Sequence, residues 1–351
     1  MPGRYDRGFA DFAMSCMRLT FLIGAMALVL AGPVRAQVVL SVSSWLAPAH
    51  PLSRTQSRWC DEVAKVTTRR VTCRMLPRPV SEPTRTFDAV RDGLVDVSYS
   101  VHGYTPGRFQ FTQMVELPFG GDSAEVMSVA YQRVFQRHLA ARGEHQGMKV
   151  LAVFVHGPGM VFNTRRPIRQ LADMHDLKFR VGGGMVSEIG KALGLDVTLH
   201  PATETYDLLS SGRFDDVFLP AETIDSFRLE KLVRHRTAVP GGLYNTSFAL
   251  VMNEAAWRRI SPADQAAIDA LSGEITARAF GRSFDGADRR ALAFMQASGV
   301  QVSQPSKAFV DILHARTAPL EARWIREAKA RGLANADGVL REYRAEVAKL
   351  K

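Results

Sequence analysis

The residues of this 351-residue chain that could do chemistry form none of the common enzyme signatures. The sequence has no Gly-x-Ser-x-Gly, no His-Glu-x-x-His, no Walker loop and no complete Gly-x-Gly-x-x-Gly. Its histidines never fall at metal-ligand spacing, and the glycines at 182–184 are only a weak anion-binding signal before a helix. The sequence therefore favours binding over catalysis, without a metal or cofactor. A catalytic group assembled from scattered residues stays open.

Arg180 is the most informative single candidate. It lies in a short apolar strand pattern, 179–181, and its guanidinium offers a planar fork that matches the two oxygens of a carboxylate. The alternative is that Arg180 pairs with Asp176 and fixes the end of the strand. The residues alone do not decide between these two interpretations.

The first 36 residues have the organisation of a cleaved export signal. Basic residues precede an apolar stretch, Leu19 to Leu30, which is too short to span a bilayer and ends near the small-x-small pattern of Val34 and Ala36. We expect cleavage before Gln37, a mature protein in the periplasm and no membrane-spanning segment after cleavage. The true start codon is left open.

Size and charge constrain the mature chain further. About 315 residues exceed what one hydrophobic core usually serves, so two lobes are expected. Removal of the leader takes the net charge from +10 to +8, which favours an anionic small molecule or an acidic partner surface. Basic residues are scattered, so nucleic acid is not expected. Cys60 and Cys73 would be able to form a disulfide in an oxidising compartment if their geometry allows it.

The hydrophobic pattern alternates between strands and helices, which predicts an α/β fold with a mostly parallel sheet. Predicted strands are 37–44, 70–76, 95–101, 148–155, 179–181, 196–199 and 247–253. Predicted helices are 52–65, 86–92, 185–193, 308–331 and 336–350, with a long helical tract at 261–298 that glycines 273, 281 and 286 should kink or break.

Four ordered segments together resemble one family, the solute-binding proteins of tripartite ATP-independent periplasmic (TRAP) transporters. The segments are GYTPGRFQ with ELPF (103–119), HGPG (156–159), RQLADMHDLKFRV (169–181) and HPATETYDLLSSGRFDD (200–216), followed by SFALVMN. The resemblance implies a two-lobed periplasmic binding protein fold with a long lobe-bracing helix. It assigns residues 37–155 plus about 243–280 to lobe I and residues 156–242 plus about 281–351 to lobe II.

In this family the lobes close on an organic acid, and the resemblance implies that Arg180 pairs with its carboxylate. Many relatives have a second arginine where this chain has Met160, and a helpful amide where it has Leu219, next to Phe218. An apolar lining at these places favours a monocarboxylate over a dicarboxylate or an acidic sugar. The expected solute is an aromatic, 2-oxo or 2-hydroxy acid.

Further ligand contacts are expected where strands end at the cleft. The candidates are Trp45, Tyr104 (or its neighbours Tyr99 and His102), His156, Tyr244 and Asn245. Each of them could instead pack in the core or cap a turn. Glu204 and Tyr206 match the family but are explained equally well as residues that start a helix.

We therefore expect a monomeric protein that captures a small organic acid, closes by hinge motion near Val155 and Val251, and docks on TRAP permease subunits in the membrane. A ligand sensor for a receptor kinase is the main alternative function, and an enzyme acting on a carboxylate is the weaker one.

Overall fold

Two separate mixed β-sheets organise the chain. A computed structural model describes residues 37–351, so the predicted leader lies outside the described residues. The strands are β1 (Val38–Val42), β2 (Val71–Met75), β3 (Val97–Val101), β4 (Met148–Val155), β5 (Met160–Asn163), β6 (Lys178–Val181), β7 (Asp196–Leu199), β8 (Asp216–Leu219), β9 (His235–Thr237), β10 (Ser247–Asn253) and β11 (Gln301–Ser303).

Helices cover both sheets. The α-helices are α1 (Pro51–Val66), α2 (Thr86–Arg91), α3 (Ala124–Val134), α4 (Met185–Ala192), α5 (Thr205–Ser210), α6 (Glu222–Ser226), α7 (Glu254–Arg258), α8 (Pro262–Leu271), α9 (Glu274–Ala297), α10 (Lys307–Ala330) and α11 (Ala336–Leu350). A π-helical segment, Phe135–Leu139, continues α3. Short 3-10 turns lie at Pro83–Arg85, His102–Tyr104, Phe111–Glu116, Ala140–Arg142, Leu171–Met174, Ala202–Glu204 and Leu229–Lys231.

The first sheet has the strand order β2-β1-β3-β10-β4. The strands β1, β2 and β3 run parallel, as expected for β-α-β connections, but β10 runs antiparallel to both of its neighbours. The central strands β3 and β10 are buried at every residue, and the Ser98 and Ser100 hydroxyls there donate to the carbonyls of Ser43 and Pro83. Four of the five strands therefore run in one direction, as expected, and β10, through which the chain returns to this sheet, runs in the opposite direction.

The second sheet has the strand order β11-β9-β5-β8-β6-β7. Its β6 strand pairs in parallel with β7 and β8, whereas β5 is antiparallel to β8 and β9. The chain passes from the first sheet to the second between Val155 and Met160 and returns between Thr237 and Ser247. Val155 ends β4 at the first crossing and Val251 lies within β10, which follows the second, and the hinge near these residues stays a prediction. The predicted lobe boundaries stay a prediction.

The long helical tract after Ser261 is broken once. Ser261 caps α8 by accepting from the backbone N–H of Asp264, and α8 ends before Gly273, whose φ of +59° suits glycine. The prediction of a break is confirmed at Gly273, but Gly281 and Gly286 lie inside a continuous α9. This helix packs against β4, α1 and α3 and also against α6, which follows a strand of the second sheet. The α9 helix therefore connects elements beside both sheets, as expected for the predicted lobe-bracing helix.

The α1 helix is tied to the first sheet by a disulfide between Cys60 and Cys73 on β2, with a Cα–Cα distance of 5.7 Å. This settles a pairing that spacing alone left open. None of the helices in residues 37–351 is both long and apolar enough to cross a membrane.

Candidate functional site

A cavity lies where several strands of the two sheets end. It is an empty space of about 480 Å³, part of it continuous with solvent. Ligands of α/β proteins bind beyond the carboxyl ends of such strands. Six of the nine predicted site residues line it: Trp45, Tyr104, His156, Arg180, Leu219 and Tyr244.

Arg180, on β6, is almost completely buried, with 2% of its surface exposed. Its Nε and Nη2 atoms donate to the carbonyl of His200 at 2.8 and 2.5 Å, and its Nη1 donates to the carbonyl of Phe218 at 3.5 Å. A guanidinium has five N–H groups, so these bonds leave one on each terminal nitrogen. Two N–H groups on neighbouring nitrogens are what a carboxylate accepts bidentately.

The alternative partner of Arg180 is engaged elsewhere. Asp176 forms its ion pair with Arg166 on the surface, and within residues 37–351 no carboxylate pairs with Arg180. Among the described residues that line the cavity, Arg180 is also the sole arginine or lysine. A buried charge without a counter-ion is costly. The site is therefore complementary to an anion.

His156 follows β4 and is held in one tautomer. Its Nδ1 lies 2.5 Å from the carbonyl oxygen of Gly157, which can only accept, so Nδ1 carries the proton. Burial lowers the pKa of His156 to about 4, and the ring is neutral at pH 7. Its Nε2 is thus a hydrogen-bond acceptor at the cavity. A role for the His156 Nε2 as a hydrogen-bond donor to a carboxylate or a hydroxyl oxygen does not fit this tautomer.

Aromatic rings form much of the remaining wall. The Trp45 indole N–H donates to the carbonyl of Tyr99 at 2.9 Å, and its ring lies 6.0 Å from that of Tyr104 in an edge-on arrangement. The Tyr104 hydroxyl accepts from the backbone N–H of Ala202, next to the second sheet, at 2.9 Å. Tyr99 is in the core and lies outside the cavity lining. This hydrogen bond joins the turn after β3, in the first sheet, to the turn after β7, in the second.

Tyr244 packs edge-on against His156 with ring centroids 5.4 Å apart. A Cβ at Gly159 would lie 2.2 Å from the Tyr244 ring, so the HGPG turn requires glycine there. The Gly159 backbone N–H also donates to the carbonyl of Tyr244 at 2.8 Å. This turn therefore fixes the position of both rings.

Three predicted site residues lie behind the cavity wall. The Met160 sulfur accepts from Nε of Arg236 at 3.1 Å, and the Phe218 ring packs against Phe179 while its carbonyl accepts from Arg180. Asn245 donates to the carbonyls of His156 and Gly157 at 3.1 and 3.0 Å. Through these hydrogen bonds Phe218 orients Arg180 and Asn245 orients His156, and both of the oriented residues line the cavity.

Other sequence candidates are placed on the surface or in the core. Glu204 contacts His200 at 2.7 Å on the surface and Tyr206 is exposed, whereas His102 is buried against His145. None of these side chains lines the cavity.

Two polar residues of the cavity, His50 and Glu222, were not found from the sequence. Glu222 begins α6 only three residues after β8 ends, and its backbone N–H donates to Asp288 on α9 at 2.7 Å. Burial, together with the nearby Glu222 charge, raises the pKa of Asp288 to about 8. Extending the search past the strand ends by a few residues would have included Glu222. His50 would have needed recognition of the helix cap before Pro51.

Comparison with known proteins places this geometry in a family. The model of the bacterial extracellular solute-binding proteins, family 7 (DctP), matches residues 42–326. A Comamonas testosteroni protein described as outer membrane transporter protein TsaT is 30% identical over 92% of this chain and 96% of its own length. The chain belongs to the family 7 solute-binding proteins, whose members serve TRAP transport.

Several solved structures have the same fold. A TRAP solute-binding protein from Bordetella bronchiseptica, with bound (R)- and (S)-mandelate, is 40% identical, with a TM-score of 0.87 over 90% of this chain and 100% of its own. One from Rhodoferax ferrireducens with benzoate is 27% identical, with a TM-score of 0.82 over 90% and 98%. One from a marine metagenome with 3-hydroxybenzoate is 28% identical, with a TM-score of 0.82 over 90% and 99%.

Proposed function

We propose that this chain is the periplasmic solute-binding subunit of a TRAP-type transporter and that it captures an aromatic monocarboxylate, with 2-hydroxy acids as preferred members. The observation that carries this proposal is Arg180. It is buried, keeps two N–H groups free and has no carboxylate partner in residues 37–351. A solute carboxylate supplies the missing counter-ion.

The rest of the cavity supports a single carboxylate on an aromatic body. Trp45, Phe248 and Phe284 contribute rings to its wall, and Leu219 contributes an aliphatic side chain. A second carboxylate would have no second arginine or lysine to meet and would approach Glu222. The mandelate, benzoate and 3-hydroxybenzoate found in the three similar structures belong to the class that these features favour.

His156 supports a hydroxyl next to the carboxylate. Its neutral ring presents Nε2 as an acceptor. Burial is the main cause of the lowered pKa of His156, and the charges of both Glu222 and Arg180 also act on it, Glu222 raising it and Arg180 lowering it. A 2-hydroxy group can donate to this nitrogen, whereas a 2-oxo group can only accept. We therefore expect 2-hydroxy acids to bind better than their 2-oxo counterparts.

Capture requires no chemistry on the solute. The chain crosses between the sheets at residues 155–160 and 237–247, and again between β10 and β11. Closure of the two sheets about these segments would bury the acid against Arg180. The predicted export signal in residues 1–36 supports a periplasmic location, and the family supports delivery to a membrane permease. Uptake of a labelled acid by cells that lack this chain tests the delivery step, because uptake should fall to background.

The solute class is tested by a thermal-shift screen of the mature chain. The panel contains benzoate, phenylacetate, mandelate, phenylglyoxylate, succinate and malate. A ligand at about 100 times its Kd should add about 2.7 kcal/mol to stability. Aromatic monocarboxylates should raise the Tm, with mandelate above phenylglyoxylate. A shift with succinate and malate alone would show that the aromatic monocarboxylate class is wrong.

A further inference from the structure

His50 and Glu222 form a polar pair in the cavity wall that the capture of a carboxylate does not use. His50 is the N-cap of α1, beside the first sheet, and Glu222 begins α6, after a strand of the second. Both side chains are buried, 5% and 4% exposed, and both line the cavity. Their Nε2 and Oε2 atoms are 3.5 Å apart, and the contact is not a hydrogen bond.

The hydrogen bonds of the pair leave one donor unused. Nδ1 of His50 accepts from the backbone N–H of Leu52 at 3.2 Å, so the ring proton is on Nε2. In residues 37–351 that buried Nε2 has no hydrogen-bond partner. Glu222 Oε2 accepts from the Ser226 hydroxyl at 2.7 Å, and a carboxylate has further lone pairs to offer.

A donor and an acceptor 3.5 Å apart leave no room for a group between them, so a group that binds both must contact them from one side and match both. A hydroxyl group can accept a hydrogen bond from His50 Nε2 and donate one to the Glu222 carboxylate, so it satisfies the hydrogen-bonding capacity of both side chains. An ammonium group has no lone pair for His50, and a carboxylate has no proton for Glu222 and shares its negative charge. An apolar group would leave the His50 N–H buried without a partner.

The position of this hydroxyl on the solute follows from charge. Glu222 repels a carboxylate, so the carboxylate of the acid lies at Arg180, and the 2-hydroxy group beside it lies near His156. The Phe227 ring, 6.1 Å from the His50 ring, also lines the cavity and provides aromatic surface at the pair. This aromatic surface favours the ring of the solute at His50 and Glu222.

We propose that His50 and Glu222 together bind a hydroxyl on the aromatic ring, so that the preferred solutes are ring-hydroxylated aromatic monocarboxylates. This inference rests on the proposed function, because it assumes that Arg180 holds the carboxylate. His50 caps α1, beside the first sheet, and Glu222 begins α6, after a strand of the second sheet. The ring hydroxyl therefore also links α1 to α6 in the closed protein.

The test is isothermal titration calorimetry of the mature chain with mandelate, 3-hydroxymandelate and 4-hydroxymandelate. At least one ring-hydroxylated acid should bind the wild type about 10-fold or more tightly than mandelate, as expected for one good charge-assisted hydrogen bond. Equal or weaker binding of both hydroxylated acids overturns the inference, and no variant is needed for that result.

Two variants assign the effect to the pair. Asparagine is a good N-cap, so His50→Asn keeps the cap of α1 and removes the Nε2 donor. Glu222→Gln keeps the shape and removes the charge. In each variant the ring-hydroxyl preference, measured as the ratio of the Kd of mandelate to the Kd of the better hydroxylated acid, should fall at least about 5-fold. A preference that survives in both variants overturns the assignment. If the wild type binds none of the three acids, the proposed function itself is contradicted.

Discussion

Substitution of Arg180 should remove most of the affinity for a carboxylate. Two N–H groups of this side chain remain for the solute, because the other three donate to the carbonyls of His200 and Phe218. Hydrogen bonds to charged groups contribute about 1.5–3 kcal/mol each, so the loss is about 3–6 kcal/mol. At about 1.4 kcal/mol per decade, Arg180→Ala should raise Kd by about 10²- to 10⁴-fold.

Calorimetry with the acid that binds best measures this loss directly. Arg180→Lys keeps the charge but not the planar fork, and it should recover only part of the affinity. The exposed Arg316 on α10 serves as the matched control, since Arg316→Ala makes the same change in net charge away from the cavity. Thermal melting of each ligand-free variant confirms folding. If folded Arg180→Ala binds the acid within 3-fold of wild type, Arg180 is not the carboxylate site.

Three further predictions concern single groups of the fold and the site. His156→Phe should weaken mandelate binding about 3- to 10-fold in calorimetry and leave phenylacetate unchanged, because one neutral hydrogen bond is lost; an equal loss for both acids would contradict the acceptor role. Burial and Glu222 raise the pKa of Asp288 to about 8, so its stabilising contribution is complete below about pH 4 and is lost as the pH rises to 8. In urea melts, the stability of Asp288→Asn relative to wild type should therefore increase from pH 5 to 8, by up to about 1.4 kcal/mol per unit, and a constant difference would refute the assignment. Reduction of the Cys60–Cys73 bridge should lower the free energy of unfolding by about 2–4 kcal/mol, while the double serine variant should not respond to reductant.

The sequence predicted the α/β class, and it located the strands that form long continuous apolar runs. The predicted strands 148–155, 196–199 and 247–253 have the same bounds in the structure. It missed β5, β8, β9 and β11, which are only three or four residues long and show little periodicity, although β7 is equally short and was predicted. It also missed α3, whose polar residues Ser128 and Gln132 are buried and interrupt the apolar stripe.

The site was predicted best where a strand end alone places a residue at the cleft. His156 and Trp45 were found in this way, whereas Arg180 was found from its side-chain chemistry and the family resemblance, and the structure places all three on the cavity. Phe218 shows the limit of the method, because adjacent residues of a strand point to opposite faces and only Leu219 reaches the cavity. His50 was missed because its cavity position depends on how α1 packs against the second sheet, which is a tertiary property.

Burial of the solute also depends on contacts that no motif describes. The Tyr104 hydroxyl bonds to the backbone N–H of Ala202, and Glu116 accepts from the backbone N–H of Met185 and from Ser247. These bonds join residues more than 60 positions apart in sequence. Sequence patterns register local periodicity, so they do not reveal such links.

The most direct test concerns Arg180, which is buried and has no carboxylate partner in residues 37–351. It compares the binding of an aromatic acid with that of its uncharged primary amide. The aromatic acid that gives the largest thermal shift is titrated by calorimetry into the wild-type chain, beside its primary amide, which has nearly the same shape and no charge. If Arg180 binds the solute as a carboxylate, the acid should bind at least about 100-fold more tightly than the amide, since the amide loses the charge-assisted bidentate pair. Equal affinities for the acid and the amide would contradict that central role.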